Sequence, residues 1–505
     1  MAMTHVDGPG WVDQRTSPIM GLFPIAVEQY LNSAVAVHAP GVTTVTTTAR
    51  YFALHGLVAH EATRRDLDDT AARDLLRRSE VVYALACMAH RDSSEHVGEW
   101  PAPHGEDKLR SALESGAVDL TVAAGHGTGR YSNSSWGFLG AYRGSEMTLG
   151  ILSTDSFRTG EAFDVAPVSS ALRAVVDLAS KATAVSLADV AGLTDVCLCQ
   201  ARFSADGEWL ARLFAGRPHD LGTVAGVLGQ TQQMIAAAIQ TTPVENLEDL
   251  ARFVMYDPQM LTHGHAGTGD VWRRWRGLRT RAESVHAWRL LWAHMCDALT
   301  ATGAMTPALL AERLADEMPT GSLRAYVDDL PAVTDAGGQP LPAERDASVS
   351  GRADVDRWVA MLLLGGQRHH ALNTGRDTPE RRGFEGPAGH PLGVEELSPH
   401  WVAAATRSWA DRSVQDLAVH LAQVMVNRAH RVTMAKSRFR RSDQRFIMPV
   451  RVVLDDGLVY RVHGEVARPP SLRWAQLMSM SRQVGLLARD DNGAWTRGPR
   501  GALLD

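Results

Sequence analysis

Between Ser413 and Arg431, the residues Val414, Leu417, Ala418, Leu421, Val424 and Met425 fall at i, i+3, i+4, i+7 spacing. That spacing lines one face of a helix with apolar side chains and requires a partner surface to cover it. Similar stripes run through residues 68–89, 270–299 and 306–318, so most of the chain is constrained to pack helix on helix. Thr306 followed by Pro307 reads as a cap and a first-turn proline. Residues 271–292 interleave Trp272, Trp275, Trp288 and Trp292 with six arginines. Tryptophans at three- and four-residue spacing predict a buried stripe, with the arginines on the wet face. Residues 306–330 could form a helix-turn-helix. The second segment is acidic (Asp328, Asp329), which is wrong for a DNA groove, so a structural helical hairpin is expected.

The last 60 residues change character. Phe446, Met448, Val450, Val452 and Leu454 alternate at period two, and Leu458, Tyr460 and Val462 continue the alternation beyond Asp456-Gly457. An Asp-Gly pair between alternating runs predicts a tight hairpin, because both turn residues need positive φ. Pro449 predicts an edge strand, since it cannot donate to a ladder. A helix at 471–483 and a second hairpin about Asn492-Gly493 resemble the final helix and wing of a winged-helix domain. The expected fold is mainly α, multi-domain and helical, with a small α+β, winged-helix-like C-terminal part. Composition places an N-terminal helical module with Thr-rich and Gly-rich loops at 1–160 and a helical domain at 161–332. A Gly/Pro/Ser-rich linker follows at 333–351, then a basic C-terminal domain at 352–505.

Only three of the 51 basic residues are lysines (Lys108, Lys181, Lys436), and none follows a glycine, so a P-loop lysine is excluded. Four cysteines (Cys87, Cys197, Cys199, Cys296) are too few for a disulfide framework and predict reduced thiols. No apolar run approaches the roughly 20 residues needed to span a bilayer. The N-terminus shows no secretory pattern, so a cytoplasmic protein is expected. Charge is uneven: residues 401–505 hold 17 Lys and Arg against 9 Asp and Glu. They therefore carry +8, while residues 1–400 carry −14 of the overall −6.

No catalytic signature is present, and no catalytic, metal or cofactor residue is assigned. His263 and His265 have metallohydrolase spacing but lack a carboxylate two residues on. Cys197-Leu-Cys199 lacks a second Cys/His pair at zinc-finger spacing, which favours buried thiols. Gly125, Gly127 and Gly129 miss the dinucleotide fingerprint and predict a flexible loop, a candidate for binding. The His369-His370 pair is expected at a helix C-terminus, where the macrodipole favours it. The one concentrated signal is Arg428–Arg451, with eight basic residues opposed by Asp443 alone. Arg431, Lys436, Arg438, Arg440, Arg441 and Arg445 are the expected phosphate contacts, with Arg497 and Arg500 as contacts from the wing.

Pro40, Gly41, Thr43, Thr44, Thr46, Arg50, Tyr51 and Phe52, followed at a distance by SSWGFLGAYRG (134–144), resemble a pattern in uncharacterised bacterial proteins. Those proteins are encoded in antiphage defence islands beside helicases and methylases. The basic stretch and the lack of a catalytic signature predict a non-catalytic, nucleic-acid-associated subunit that binds DNA, and the resemblance implies work in defence with a separately encoded helicase or modifying enzyme from the same operon. No membrane partner is expected. The alternatives are an enzyme with an unrecognised, metal-dependent hydrolase site, and a protein-assembly scaffold that binds no nucleic acid.

Overall fold

The computed structural model describes residues 16–217, 224–257, 269–333, 351–373, 377–386 and 395–505. They are mainly helical, with small sheets, as the apolar periodicities predict. They cluster into two compact units. The first draws on Met1–Ala34 and Val254–Pro470, the second on Val35–Phe253 and Ser471–Asp505. Each unit is therefore discontinuous in sequence, and the 333–351 stretch lies within the span of the first.

In the first unit the 34-residue helix Gly269–Thr302 forms the spine. Trp272, Trp275, Trp288 and Trp292 are buried, as their spacing predicts. The arginines differ from expectation, because Arg276 and Arg281 are buried too. The spine is covered on more than one side, by the Asp354–Leu372 and Pro379–Glu385 helices among others, which leaves it a narrow, half-buried stripe through Arg279, Glu283, His286 and His294. Arg276 Nε donates to the Met255 carbonyl at 2.9 Å, and its guanidinium pairs with buried Glu380. The Arg281 guanidinium lies 5.1 Å from the centroid of the Tyr30 ring.

The spine and the Pro379–Glu385 helix meet through Gly277 and Gly383. A Cβ at Gly277 would strike the Glu380 carbonyl and come within 2.8 Å of Phe384 N. Gly→Ala in an exposed helix stabilises by about 1 kcal/mol. Here the added methyl meets backbone that cannot rotate away, and overpacking costs about 1–3 kcal/mol. Gly277→Ala should therefore lower the melting temperature of the first unit; a rise would show that the two helices can part freely.

The Val414–Lys436 helix starts at a Ser413 capping box with Asp416 and buries Val414, Leu417, Ala418, Leu421 and Met425. It delivers the chain into a three-stranded sheet in which Arg445–Val450 is central. Arg438–Arg440 pairs antiparallel on one side, and Thr16–Met20 pairs parallel on the other. The edge strand expected from Pro449 is corrected only in part. The Arg438–Arg440 strand reaches no further than Ile447, so at Pro449 one side of the central strand is unpaired and the missing N–H costs no ladder bond. The alternation is broken at Arg451. Val452–Asp455 and Leu458–Arg461 form a separate hairpin with Ala304–Met305, turning through Asp456 (φ 47°) and Gly457 (φ 73°).

The second unit is built on the Arg50–Arg64, Asp69–Arg91, Val165–Lys181 and Ala205–Phe214 helices. The longest of these begins where Asp68 accepts from Thr70 N and Ala71 N, at 2.9 and 2.8 Å, and ends in His90 and Arg91. Residues after Ser471 contribute the Trp474–Gln483 helix and a Leu487–Arg489/Trp495–Arg497 hairpin, with Gly493 at φ 82°.

Candidate functional site

The Asp69–Arg91 helix carries Cys87 and His90 one turn apart on its buried side. His96 follows in the loop beyond. About a hundred residues later, two short 3-10 turns, Thr194–Val196 and Leu198–Gln200, share Cys197 as a joint in extended conformation (φ −63°, ψ 145°). This joint presents Cys197 and Cys199 to the two histidines. Cys197 Sγ lies 3.8 Å from His96 Nδ1, and Cys199 Sγ lies 3.4 Å from His90 Nδ1. One donor atom from each of the four lies within 4.8 Å of every other. His90, Cys197 and Cys199 are buried, and His96 is half-buried.

The joint is positioned from beneath by Arg50, which donates to the carbonyls of Asp195 and Cys197 at 2.7 and 2.6 Å. Arg50 is itself held by a two-pronged pair with buried Asp206, at 2.7 and 2.9 Å. The hydrogen bond with Cys197, reinforced by burial, pushes the Cys199 thiol well above its ordinary value. Two thiols and two imidazoles form the donor set that suits zinc, and four protein donors leave no open position for a reacting group.

The sequence reading of Cys197 and Cys199 looked for a second pair at zinc-finger spacing and so missed His90 and His96. Their H-x5-H spacing at a helix end was the available signal, but nothing local ties it to residues a hundred positions away.

The glycine-rich loop is exposed at its tip, residues 126–129, and held at both ends. Arg77 donates to the carbonyls of Ala124, Gly125 and Ser134, that to Gly125 at 2.7 Å. Glu80 accepts from Phe138 N at 2.7 Å and from the Tyr131 hydroxyl. Both of these charged side chains are buried, so the loop is clamped to the core by charge-assisted hydrogen bonds. His369 does lie in the last turn of its helix. There it contacts Glu385 and lies 3.2 Å, Nε2 to Nδ1, from His400. His263 and His265 lie outside the described residues.

The expected phosphate contacts divide between the units. In the first unit, Arg431 pairs with Glu396, and Lys436 Nζ donates to the Leu22 and Phe23 carbonyls at 2.8 and 3.0 Å. Arg440 pairs with Asp443, and Arg445 reaches the Ser17 hydroxyl at 3.3 Å. Arg438 and Arg441 are exposed, and no ion pair or hydrogen bond engages their side chains among the described residues. Between them Phe439 is 58% exposed.

In the second unit, Arg497 pairs with the Asp505 carboxylate at 2.6 Å. Arg500 donates to the Ala201, Val484 and Ser204 carbonyls at 3.2, 2.9 and 2.8 Å. These two arginines tie the C-terminus down. No known protein family, curated protein or solved structure matches the chain. Among the described residues no helix is long and apolar enough to cross a membrane.

Proposed function

We propose that the chain is a non-catalytic subunit that grips DNA phosphates through the Arg438–Arg445 hairpin. The observation that carries this reading is an exposed aromatic, Phe439, flanked by Arg438 and Arg441, whose guanidinium groups have no internal partner among the described residues. Arginines neutralise phosphates and so give sequence-tolerant affinity for a duplex, and an exposed aromatic nearby can stack on a base wherever one is unpaired. Arg440, paired with Asp443, and Arg445, at the same surface, would add to the field. Lys436 and Arg431 would hold the hairpin's base. Arg497 and Arg500, in the winged-helix reading of the C-terminus, would act by fixing the wing. The role in antiphage defence, the cytoplasmic setting and the partner helicase or modifying enzyme rest on the resemblance carried by Arg50, Tyr51, Phe52 and the residues before them.

Binding of a short random-sequence DNA duplex, followed by fluorescence anisotropy across a salt series, tests this. Affinity should fall steeply with salt. Arg438→Glu/Arg441→Glu should make the log–log slope shallower by about 2, roughly one unit per lost phosphate contact. Both side chains are exposed, so stability should move by less than about 0.5 kcal/mol. An unchanged slope, or no binding at low salt, would refute the assignment.

A further inference from the structure

We infer that the second unit holds one structural zinc ion, ligated by His90 Nδ1, His96 Nδ1, Cys197 Sγ and Cys199 Sγ. Zinc bonds of about 2.3 Å to sulfur and 2.0–2.1 Å to nitrogen, set at the tetrahedral angle, place sulfur and nitrogen about 3.6 Å apart. The two separations, 3.8 and 3.4 Å, bracket that value. All four donor atoms lie within 4.8 Å of one another, about 1 Å more than the widest donor pair of a tetrahedral zinc site, so binding would draw them slightly together.

Charge supports the same reading. On binding, each thiol releases its proton to water and the sulfur lone pair forms the Zn–S bond, while the imidazoles bind as neutral ligands. The divalent ion with two thiolates is then neutral, and a neutral centre can be buried without an uncompensated charge. Soft thiolates and imidazoles disfavour magnesium and calcium. Cys87, one turn before His90 on the same helix, is outside this group of four and is a neighbour, not a ligand. The ion would staple the end of the Asp69–Arg91 helix to turns a hundred residues away, a long loop whose closure is costly without a cross-link. With four protein ligands it has no site for substrate.

The test uses tag-free, full-length protein purified without chelator. Elemental analysis should find about one zinc per chain. After chelator treatment, cobalt(II) alone should give the visible bands of a tetrahedral ion and a thiolate-to-cobalt charge-transfer band, and both should vanish as zinc is added back. Cys197→Ser/Cys199→Ser should abolish the charge-transfer band. His96→Gln, at a half-buried position that tolerates change, should weaken metal retention at least tenfold while the protein stays folded. Cys87→Ser should leave the stoichiometry unchanged. A folded wild-type protein with no metal and no cobalt spectrum would overturn the inference, and so would a Cys87→Ser variant that loses its metal.

Discussion

Arg50→Met should destabilise the second unit by about 3–5 kcal/mol, the cost of leaving one partner of a buried ion pair alone. Arg50 and Asp206 are both fully buried, and the guanidinium spends its five donors on Asp206, Ser204 and the carbonyls of Asp195 and Cys197. Methionine fills much of the volume but returns none of these bonds. A carboxylate and two carbonyls would remain in the core with their desolvation uncompensated. Against a total stability of about 5–15 kcal/mol for a domain, this loss is large.

Burial pushes the Asp206 carboxyl up, but the charge and hydrogen bonds of Arg50 outweigh it and hold the group below its ordinary value. The wild-type pair therefore contributes stability above the usual carboxylate pKa and loses it as pH falls through the lowered one. Urea unfolding followed by circular dichroism gives the magnitude. Arg50→Met/Asp206→Leu should recover part of the loss, because no lone charge is left. A single variant as stable as wild type would mean that the pair does not order the core.

His55→Leu is the second large effect, again about 3–5 kcal/mol. The ring lies between two buried carboxylates, with Nδ1 2.6 Å from Glu146 and Nε2 3.0 Å from Glu80. Tyr51 and Tyr142 complete its surroundings. Burial alone would push the imidazole pKa down, but the two carboxylates win and raise it to about 9. Glu146 is raised as well, chiefly by burial.

A raised histidine stabilises fully below its unfolded value near 6.5, and that contribution disappears as pH rises through about 9. Melting curves of the wild type should therefore fall between pH 6.5 and 9.5. His55→Leu should start lower and decline less across the same range. A wild-type melting temperature that stays flat over this interval would contradict a charged His55.

What could be read from the sequence was local. The stripe from Val414 to Met425 places the Val414–Lys436 helix, the four tryptophans mark the buried side of the spine, and Asp456-Gly457 marks a turn. Each of these signals repeats within a few residues. The donors His90 and His96 meet Cys197 and Cys199 across a hundred residues, and Thr16–Met20 lies along Arg445–Val450 from the other end of the chain. No periodicity encodes such pairings.

The Thr-rich segment and the Arg50-Tyr51-Phe52 run that carry the family resemblance are also packed into the second unit. Thr43 N donates to Thr46 Oγ1 at 2.7 Å, Ala49 N to Gln483 Oε1 at 2.7 Å, and all three residues of the run are buried. Charge composition marked residues 428–451 as a basic stretch. It could not separate Arg438 and Arg441 from neighbours already engaged by Glu396, Asp443 and backbone carbonyls.

The most direct measurement for DNA gripping by the hairpin is ultraviolet cross-linking of full-length protein to a short DNA fragment at low salt, with the attached peptides mapped by mass spectrometry. The expected result is cross-links concentrated on Arg438–Arg445, centred on Phe439 and lost in Phe439→Ala. Cross-links confined to other segments, or none under conditions where a known DNA-binding protein is captured, would contradict it.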